Sequence, residues 1–356
     1  MESANDFDIV ASCRNILASN PSLTKPVAAI ESLIALLNTV SSATAHETLE
    51  IVKHHSDLLK DSAFNPVPFT TGTDLFIQYI IFSLRELEGD FATIRQHLLT
   101  NGRTFIQNAI DARKGVANIG WEYIEEGSRV LTFGASRCVT ALLARAAETM
   151  RGKFKVYYVR DPARVQEDDR VVEEMRHLGI PVAELQQGVV SHIMGLLTAP
   201  TLAIVGAEAI TADGGIIARI GTRQIAQLVS DKPKIPFYVA AETHKFTRKL
   251  CMDQRDLGFK QDIWNFSTEP TKRELFDEAV DHTHPSLITG LITETGEHLP
   301  SYVYGQMYEM FGIVEYQVAA KHIDRVSMRQ VAQADEERHD DRIPDLENAL
   351  KELKAE

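Results

Sequence analysis

The sequence has few features of membrane or secreted proteins. It lacks an uninterrupted apolar run near the ~18 residues that a membrane-spanning helix needs, and residues 1–6 lack the basic and then apolar pattern of a signal peptide. Its three cysteines, Cys13, Cys138 and Cys251, lie far apart. The odd number and wide spacing of these cysteines favour reduced, buried thiols over a disulfide framework or a zinc site. We therefore expect a cytosolic protein without membrane contact and without a bound metal.

Positive charge is also scarce relative to negative charge. The 356 residues include 37 Lys and Arg against 50 Asp and Glu, which leaves a formal net charge of −13. An acidic surface repels a phosphate backbone, so direct nucleic-acid binding is not expected. The apolar share of 44% and the charged share of 24% are ordinary for a globular protein, and the length suggests roughly two domains.

The spacing of apolar residues divides the chain into three parts. Residues 1–120 carry helical periods, for example Ile30, Leu33, Ile34 and Leu37 on one helix face. From 121 to 313, short apolar runs alternate with helical stretches, which predicts an α/β, doubly wound (Rossmann-like) parallel sheet. The predicted strands are 130–133, 156–159, 181–185, 202–205, 237–240 and 287–288, and the predicted helices are 139–150, 171–178, 189–197 and 216–229.

A charged C-terminal extension is predicted over 314–356. Its mixed-charge composition is typical of a solvated helix or a loose tail. Leu346, Leu350 and Leu353 keep a thin apolar stripe that could dock on a partner.

The first turn after a predicted strand is one candidate for ligand binding. In doubly wound sheets, ligands bind beyond the carboxyl ends of the strands. Gly134, Ser136 and Arg137 lie at such a turn and could present backbone N–H groups and a helix N-terminus to a phosphate. The chain lacks a Gly-x-Gly-x-x-Gly loop and a Gly-x4-Gly-Lys-Ser/Thr loop, so nucleotide binding is unsupported. A tight turn capped by Ser136 is the structural alternative.

A second candidate region begins at Glu208, which follows a predicted strand. Gly214 and Gly215 come next, and a predicted helix then carries Arg219 and Thr222. An acid facing an arginine in a crevice suits a phosphorylated, hydroxylated small molecule. The alternative is a plain ion pair between Glu208 and Arg219. Lys245, beyond another predicted strand, is either a ligand contact or a solvated surface charge.

Several ordered segments carry a resemblance to a known superfamily. They are Ile204-Val205-Gly206-Ala207-Glu208, Gly214-Gly215-Ile216-Ile217, Ile220-Gly221-Thr222, Phe237-Tyr238-Val239-Ala240-Ala241-Glu242 and Pro285-Ser286-Leu287-Ile288-Thr289. They resemble the superfamily that joins the regulatory subunits of translation initiation factor 2B to methylthioribose-1-phosphate and ribose-1,5-bisphosphate isomerases. The similarity runs from the helical region to about residue 313 and is greatest to the branch of alpha subunits.

The resemblance also indicates which residues distinguish the isomerases of this superfamily from its regulatory subunits. It implies a cysteine in the first strand-to-helix turn of the isomerases, where this chain has Gly134, and an aspartate where it has Glu208. Arg219 falls at a lysine position and Ala218 at an asparagine position, and the Arg-Gly-Ala-Pro phosphate loop is missing. A glycine offers no titratable side chain, and Cys138 sits too far into the predicted helix to replace the missing thiol. The resemblance therefore implies a remnant pocket without catalysis.

By resemblance, the expected function is that of a regulatory subunit in the guanine-nucleotide exchange complex for initiation factor 2. The implied partners are a second copy of the chain, the beta, gamma, delta and epsilon subunits, and initiation factor 2 with its alpha subunit phosphorylated under stress. The alternative is a pentose-phosphate aldose–ketose isomerase. A third hypothesis is that the pocket binds a sugar phosphate or phosphate as a structural or sensory ligand, and no other cofactor is implied.

Overall fold

The structure is a computed structural model. It describes residues 7–20, 23–40, 42, 44–86, 91–196, 199–232, 234–261, 263, 264, 266, 268 and 278–311. The charged extension predicted over 314–356 lies outside the described residues. Met1–Met310 forms one compact unit, so the domain boundary placed at residue 120 stays a prediction.

Within the described residues, five α-helices precede the first strand. They are α1 (Ile9–Ser19), α2 (Lys25–Thr39), α3 (Ala45–Asp61), α4 (Val67–Glu86) and α5 (Phe91–Gly120). The predicted apolar face of α2 is confirmed, because Ile30, Leu33, Ile34 and Leu37 are all buried in one core cluster. Pro68 lies in the first turn of α4, where its missing N–H costs no helical hydrogen bond.

The described residues contain ten strands and five further helices. The strands are β1 (Arg129–Phe133), β2 (Lys155–Val159), β3 (Val182–Leu185), β4 (Leu202–Val205), β5 (Ala209–Ile210), β6 (Ile216–Arg219), β7 (Phe237–Ala240), β8 (Val280–Thr283), β9 (Gly290–Thr293) and β10 (Gly296–His298). The helices are α6 (Arg137–Met150), α7 (Val165–His177), α8 (Val189–Ile193), α9 (Thr222–Ser230) and α10 (Tyr302–Phe311).

Seven strands form the main sheet, in the order β10-β9-β7-β4-β1-β2-β3. All neighbours pair in parallel except β10, which runs antiparallel to β9 at the edge. In the middle of the sheet, Leu131 of β1 is in register with Tyr157 of β2 and with Ala203 of β4. The predicted α/β class with a mostly parallel sheet is confirmed.

Close packing of helix on helix joins the first five helices to the sheet. Gly120 at the end of α5 lies against Leu142 of α6, and a Cβ at position 120 would come within 2.1 Å of Leu142 Cδ1. The same position faces Ile292 of β9. Only glycine allows this approach without displacing the core of the α/β region.

A second, three-stranded antiparallel sheet was not predicted. It has the order β5-β6-β8, with Ile217 of β6 opposite Ala209 of β5 and His282 of β8. The predicted helix over 216–229 is therefore wrong in its first part, because Ile216–Arg219 is a strand and the helix begins at Thr222. Gly221, at φ +103°, makes the turn between the two elements.

The last predicted strand is also misplaced. Pro285–Leu287 forms a single 3-10 turn, and the strand follows at Gly290–Thr293. Pro285 at the first helical position and the His284 ring, which accepts from Ser286 N–H at 3.2 Å, favour the turn. Among the helices that the structure describes, none has the length and apolar character needed to cross a membrane.

Candidate functional site

A cleft opens where the connectivity of the main sheet reverses. Strand β1 pairs with β2 on one side and with β4 on the other, so the chain leaves this point in opposite directions. The cleft has a volume of about 700 Å³ and lies beyond the carboxyl ends of β1 and β4. Both strands end in turns that line it, at Gly134 and at Gly206.

The turn after β1 has an unusual backbone. Gly134 has φ +86° and Ala135 has φ +48°, so two successive residues occupy the left-handed region. Ser136 then caps α6, with its hydroxyl accepting from Val139 N–H at 3.5 Å. A Cβ on Gly206 would lie 2.1 Å from Ser136 Oγ. Glycine at 206 is therefore what allows the turns after β1 and β4 to meet.

Seven of the nine predicted pocket residues line this cleft: Gly134, Ser136, Arg137, Glu208, Arg219, Thr222 and Lys245. Gly214 and Gly215 lie elsewhere. A Cβ on Gly214 would meet the Pro300 carbonyl at 2.1 Å, and one on Gly215 would meet His282 Nε2 at 2.6 Å. These two glycines permit close packing around the β5–β6 connection, outside the cleft lining.

Arg219 reaches the cleft from a strand, whereas the sequence predicted a helix. It is the last residue of β6 and is buried. Its Nε donates to Asp161, and its Nη1 donates to the Ala279 carbonyl at 3.0 Å. The buried guanidinium thus finds its carboxylate partner in the loop that follows β2.

Glu208 is held by a residue from the helical region. Asn65 Nδ2 donates to Glu208 Oε2 at 2.5 Å, while Asn65 Oδ1 accepts from Val67 N–H at the start of α4. Burial raises the pKa of Glu208, although Arg164, Asn65, Lys25 and Arg219 act against that rise. The carboxyl group therefore accepts a hydrogen bond from a neutral amide, and the nearby cations do not offset its burial.

Lys245 is largely enclosed, with 12% of its side chain exposed, and it pairs with a carboxylate, so it is not the solvated surface charge that was the alternative. Its Nζ lies 2.9 Å from Glu242 Oε2, and Arg113 Nε of α5 lies 3.6 Å from Glu242 Oε1. Burial disfavours the ionised carboxylate, but Lys245 and His244 outweigh it and hold the pKa of Glu242 well below its usual range. Glu242 and Lys245 line the cleft, and Arg113 approaches the same carboxylate from outside the lining.

Cys138 is the second residue of α6, within its first turn, and is buried. Burial and the negative charge of Glu242 raise the pKa of its thiol. A buried thiol with a raised pKa is a poor nucleophile.

The sequence did not identify the contribution of α2. Thr24, Lys25 and Pro26 line the cleft, and Lys25 Nζ pairs with Glu278 at 2.5 Å. A cap-type residue followed by a lysine and a proline at a helix start was the available signal. Because this segment belongs to the helical region, only the tertiary fold brings it to the carboxyl ends of the strands.

Five helix N-termini meet at the cleft, those of α2, α4, α6, α7 and α9. Internal groups cap three of them: Asn65 for α4, Ser136 for α6, and Asp281, whose carboxylate accepts from Gly221 N–H at 2.7 Å, for α9. A helix N-terminus carries partial positive charge and attracts anions. The convergence makes the cleft favourable for an anionic ligand.

The N-terminus of α2 differs from those three. In the part of the chain that the structure describes, Thr24 makes no capping hydrogen bond to α2, and its buried Oγ1 has no hydrogen-bond partner. The first turn of α2 contains no acidic residue. Together with the nearby Lys25, this end of α2 can supply a hydroxyl and positive charge to a ligand.

Comparison with known proteins gives consistent matches. Residues 18–300 match the profile of the "Initiation factor 2 subunit family". The translation initiation factor eIF2B subunit alpha of Dictyostelium discoideum is 27% identical over 319 residues, covering 86% of this chain and 98% of that relative. The ribose 1,5-bisphosphate isomerase of Pyrococcus furiosus is 26% identical over 278 residues, covering 76% and 83% respectively.

Solved structures support the fold. A translation initiation factor eIF-2B structure from Pyrococcus horikoshii OT3 aligns with a TM-score of 0.61 at 20% identity, covering 83% of this chain and 98% of that one. A chain of the tetrameric eIF2B-beta2-delta2 complex from C. thermophilum aligns with a TM-score of 0.64 at 17% identity, covering 86% and 96%. With a family profile matched over most of its length, this chain belongs to the initiation factor 2 subunit family.

Proposed function

We propose that this chain is a non-catalytic regulatory subunit of the exchange complex that reloads translation initiation factor 2 with GTP. The observation that carries the proposal is Gly134. Resemblance to the isomerases places a cysteine there, and this chain has no side chain at that position. The backbone at φ +86° and the 3.3 Å from a Cβ to Arg219 Cβ also oppose a larger residue. Similarity to proteins named eIF2B subunit alpha along nearly their whole length supports the same proposal.

The proposed partners are a second copy of this chain and the beta, gamma, delta and epsilon subunits in the cytosol. Initiation factor 2 with a phosphorylated alpha subunit is the proposed regulatory signal under stress. A native pull-down of the tagged full-length chain tests this set. We expect the four other subunits to copurify and the isolated chain to elute as a dimer in gel filtration. Recovery of the chain alone, as a dilution-stable monomer, would contradict the proposal.

We also propose that the cleft binds a sugar phosphate or phosphate as a structural or sensory ligand. The support is electrostatic: five helix N-termini meet there, and Lys25, Arg219 and Lys245 line the same volume. A ligand present at a hundredfold excess over its Kd should stabilise the fold by about 2.7 kcal/mol. Thermal unfolding with inorganic phosphate, ribose 5-phosphate and ribose-1,5-bisphosphate measures this. Arg219→Ala should abolish the shift, and an unchanged Tm across the panel would refute the ligand proposal.

Isomerase activity is the second candidate function. Glu208 and Arg219 favour it, because both still line the cleft at positions that resemble functional positions of the isomerases. Incubation of the pure chain with methylthioribose-1-phosphate or ribose-1,5-bisphosphate decides between the two. We expect no turnover, and conversion of either compound by the isolated chain would overturn the non-catalytic proposal.

A further inference from the structure

Asp168 carries a buried carboxylate that does not itself line the cleft. A series of hydrogen bonds connects it to a residue that does. Asp168 is in the first turn of α7 and is fully buried. Its Oδ1 accepts from the Tyr158 hydroxyl at 2.6 Å, and its Oδ2 accepts from Asp161 N–H at 2.6 Å. Asp168 thus connects a central strand, β2, to the loop that follows it.

The hydrogen bonds continue from that loop into the cleft. Asp161 Oδ2 accepts from Arg219 Nε, and Asp161 Oδ1 accepts from Ala163 N–H at 2.9 Å. Tyr158, Asp168, Asp161 and Arg219 therefore form one continuous series, which we call the Arg219 relay. Its members lie on β2, α7, the loop between them, and β6.

The Arg219 relay contains buried charges, and several residues are needed to hold those charges in a favourable geometry. Asp161 and Arg219 are both buried, so their pair is strong only if its geometry is held. Burial raises the pKa of Asp168, and the hydrogen bonds from Tyr158 and from Asp161 N–H oppose that rise. Asp161 belongs to a loop, and loops hold side chains less firmly than strands or helices do. Asp168 compensates by fixing the backbone of Asp161 to β2.

We propose that Asp168 is a positioning residue for the cleft: it holds Asp161, which in turn fixes the Arg219 guanidinium in the orientation that receives an anionic ligand. The proposal rests on the ligand role proposed for the cleft. Asp168 does not line the cleft, so its effect on the ligand passes through Arg219.

A double-mutant cycle tests this directly. The probes are inorganic phosphate and ribose 5-phosphate, and the measurement is the Kd by titration calorimetry on the full chain. Asp168→Asn retains the shape but reverses the hydrogen bond with Tyr158 and leaves Asp161 N–H a neutral amide acceptor in place of a carboxylate, so we expect about a tenfold weaker Kd. In an Arg219→Lys background, which keeps a cation but lacks the Nε–H that donates to Asp161, Asp168→Asn should change the Kd less than about twofold. Equal losses in both backgrounds would overturn the proposal.

Two further variants keep the test independent of folding failure. Tyr158→Phe removes a single hydroxyl and should weaken binding in the same direction, by less than Asp168→Asn does. Glu173→Gln is the matched control, because Glu173 is an exposed residue of the same helix α7 and is not a member of the relay, whereas Asp169 is linked to Asp168 through their shared partner Arg160. The control should leave the Kd unchanged, and a loss equal to that of Asp168→Asn would overturn the proposal.

A measurement without ligand separates this proposal from the proposed function. The Arg219 Nε–H resonance, assigned by its loss in Arg219→Lys, reports the hydrogen bond to Asp161. Asp168→Asn should move that resonance and speed its exchange with solvent. If neither probe binds the wild-type chain, the ligand role fails while this resonance still decides the positioning role. An unchanged resonance would refute the Arg219 relay.

Discussion

Lys245 and Glu242 form a buried ion pair in the wall of the cleft, with Nζ 2.9 Å from Oε2 and side-chain exposures of 12% and 1%. Arg113, from the helical region, approaches the same carboxylate at 3.6 Å. Burial disfavours the charged ammonium, but Glu242 outweighs it and raises the pKa of Lys245. Glu242 thus neutralises cations from two parts of the chain, which makes it structurally critical.

Loss of that carboxylate should be costly. Glu242→Gln removes the carboxylate that pairs with the largely enclosed Lys245 at 2.9 Å, so we expect the free energy of unfolding to fall by about 3 kcal/mol in urea titrations. The matched control is Glu50→Gln, because Glu50 pairs with Lys53 at 3.5 Å while both side chains are more than half exposed. That change should cost no more than about 0.5 kcal/mol. Similar losses for the two variants would contradict the burial argument.

His244 should make the fold sensitive to acid. Burial, against the opposing charge of Glu242, lowers the pKa of His244 from 6.5 to about 4. The unfolded chain then binds a proton between these two values and the folded chain does not, so stability falls as the pH drops from about 6.5 to 4. The contribution is up to about 3 kcal/mol. Urea unfolding across this range should show a shallower slope for His244→Leu, and identical slopes would refute the assignment.

A substitution at Thr24 should distinguish a role in ligand binding from a role in helix stability. Its Oγ1 is buried and, within the described residues, makes no hydrogen bond to the N-terminus of α2. Thr24→Val should therefore change the free energy of unfolding by less than about 0.5 kcal/mol, since no bond is lost. It should weaken binding of inorganic phosphate about fivefold or more, as a lost hydrogen bond to a charged group would. Ser136→Ala is the comparison, because its hydroxyl does cap α6 and its loss should cost about 1 kcal/mol. A large stability loss in Thr24→Val would show that the hydroxyl serves the fold.

Gly134 should resist restoration of a cysteine. Gly134→Cys places a side chain at φ +86°, 3.3 Å from Arg219 Cβ, so we expect a loss of more than about 1–2 kcal/mol and no isomerase turnover. Gly152→Ala provides the control for backbone strain alone, because Gly152 has φ +73° and nothing within 4 Å of an added Cβ. It should cost about 1 kcal/mol. Turnover in Gly134→Cys would show that the cleft retains the remaining catalytic groups.

The sequence predicted the elements whose apolar pattern is strong and local. The buried face of α2 follows from its 3.6-residue period, and the runs that became β1, β2, β4 and β7 are short, apolar and bounded by turn residues. Ile216–Arg219 was misread because its apolar run continues into α9, and period alone does not separate a buried strand from a buried helix. The antiparallel partner β8 is distant in the chain, and Ala218 pairs there with Asp281.

The residues of the candidate site also fall into two groups, those that the sequence identified and those that it did not. Gly134, Glu208 and Lys245 could be found from the sequence, because each follows a predicted strand and parallel strands bring their carboxyl ends to one edge. Arg219 was also selected, although on a predicted helix and not at the end of β6. Three other residues could not be found, because packing between distant segments places them: Lys25 lines the cleft, Asn65 contacts Glu208, and Asp161 contacts Arg219.

By itself, the sequence determined the class of the fold, the position of the parallel strands and the lack of a thiol at position 134, since these depend on residue identity and short-range period. Only the tertiary structure decided which charges meet. It paired Arg219 with Asp161, Glu208 with Asn65 and Glu242 with both Lys245 and Arg113. Such pairings depend on how helices and sheets pack across long separations in the chain, and no local pattern of residues records that distance.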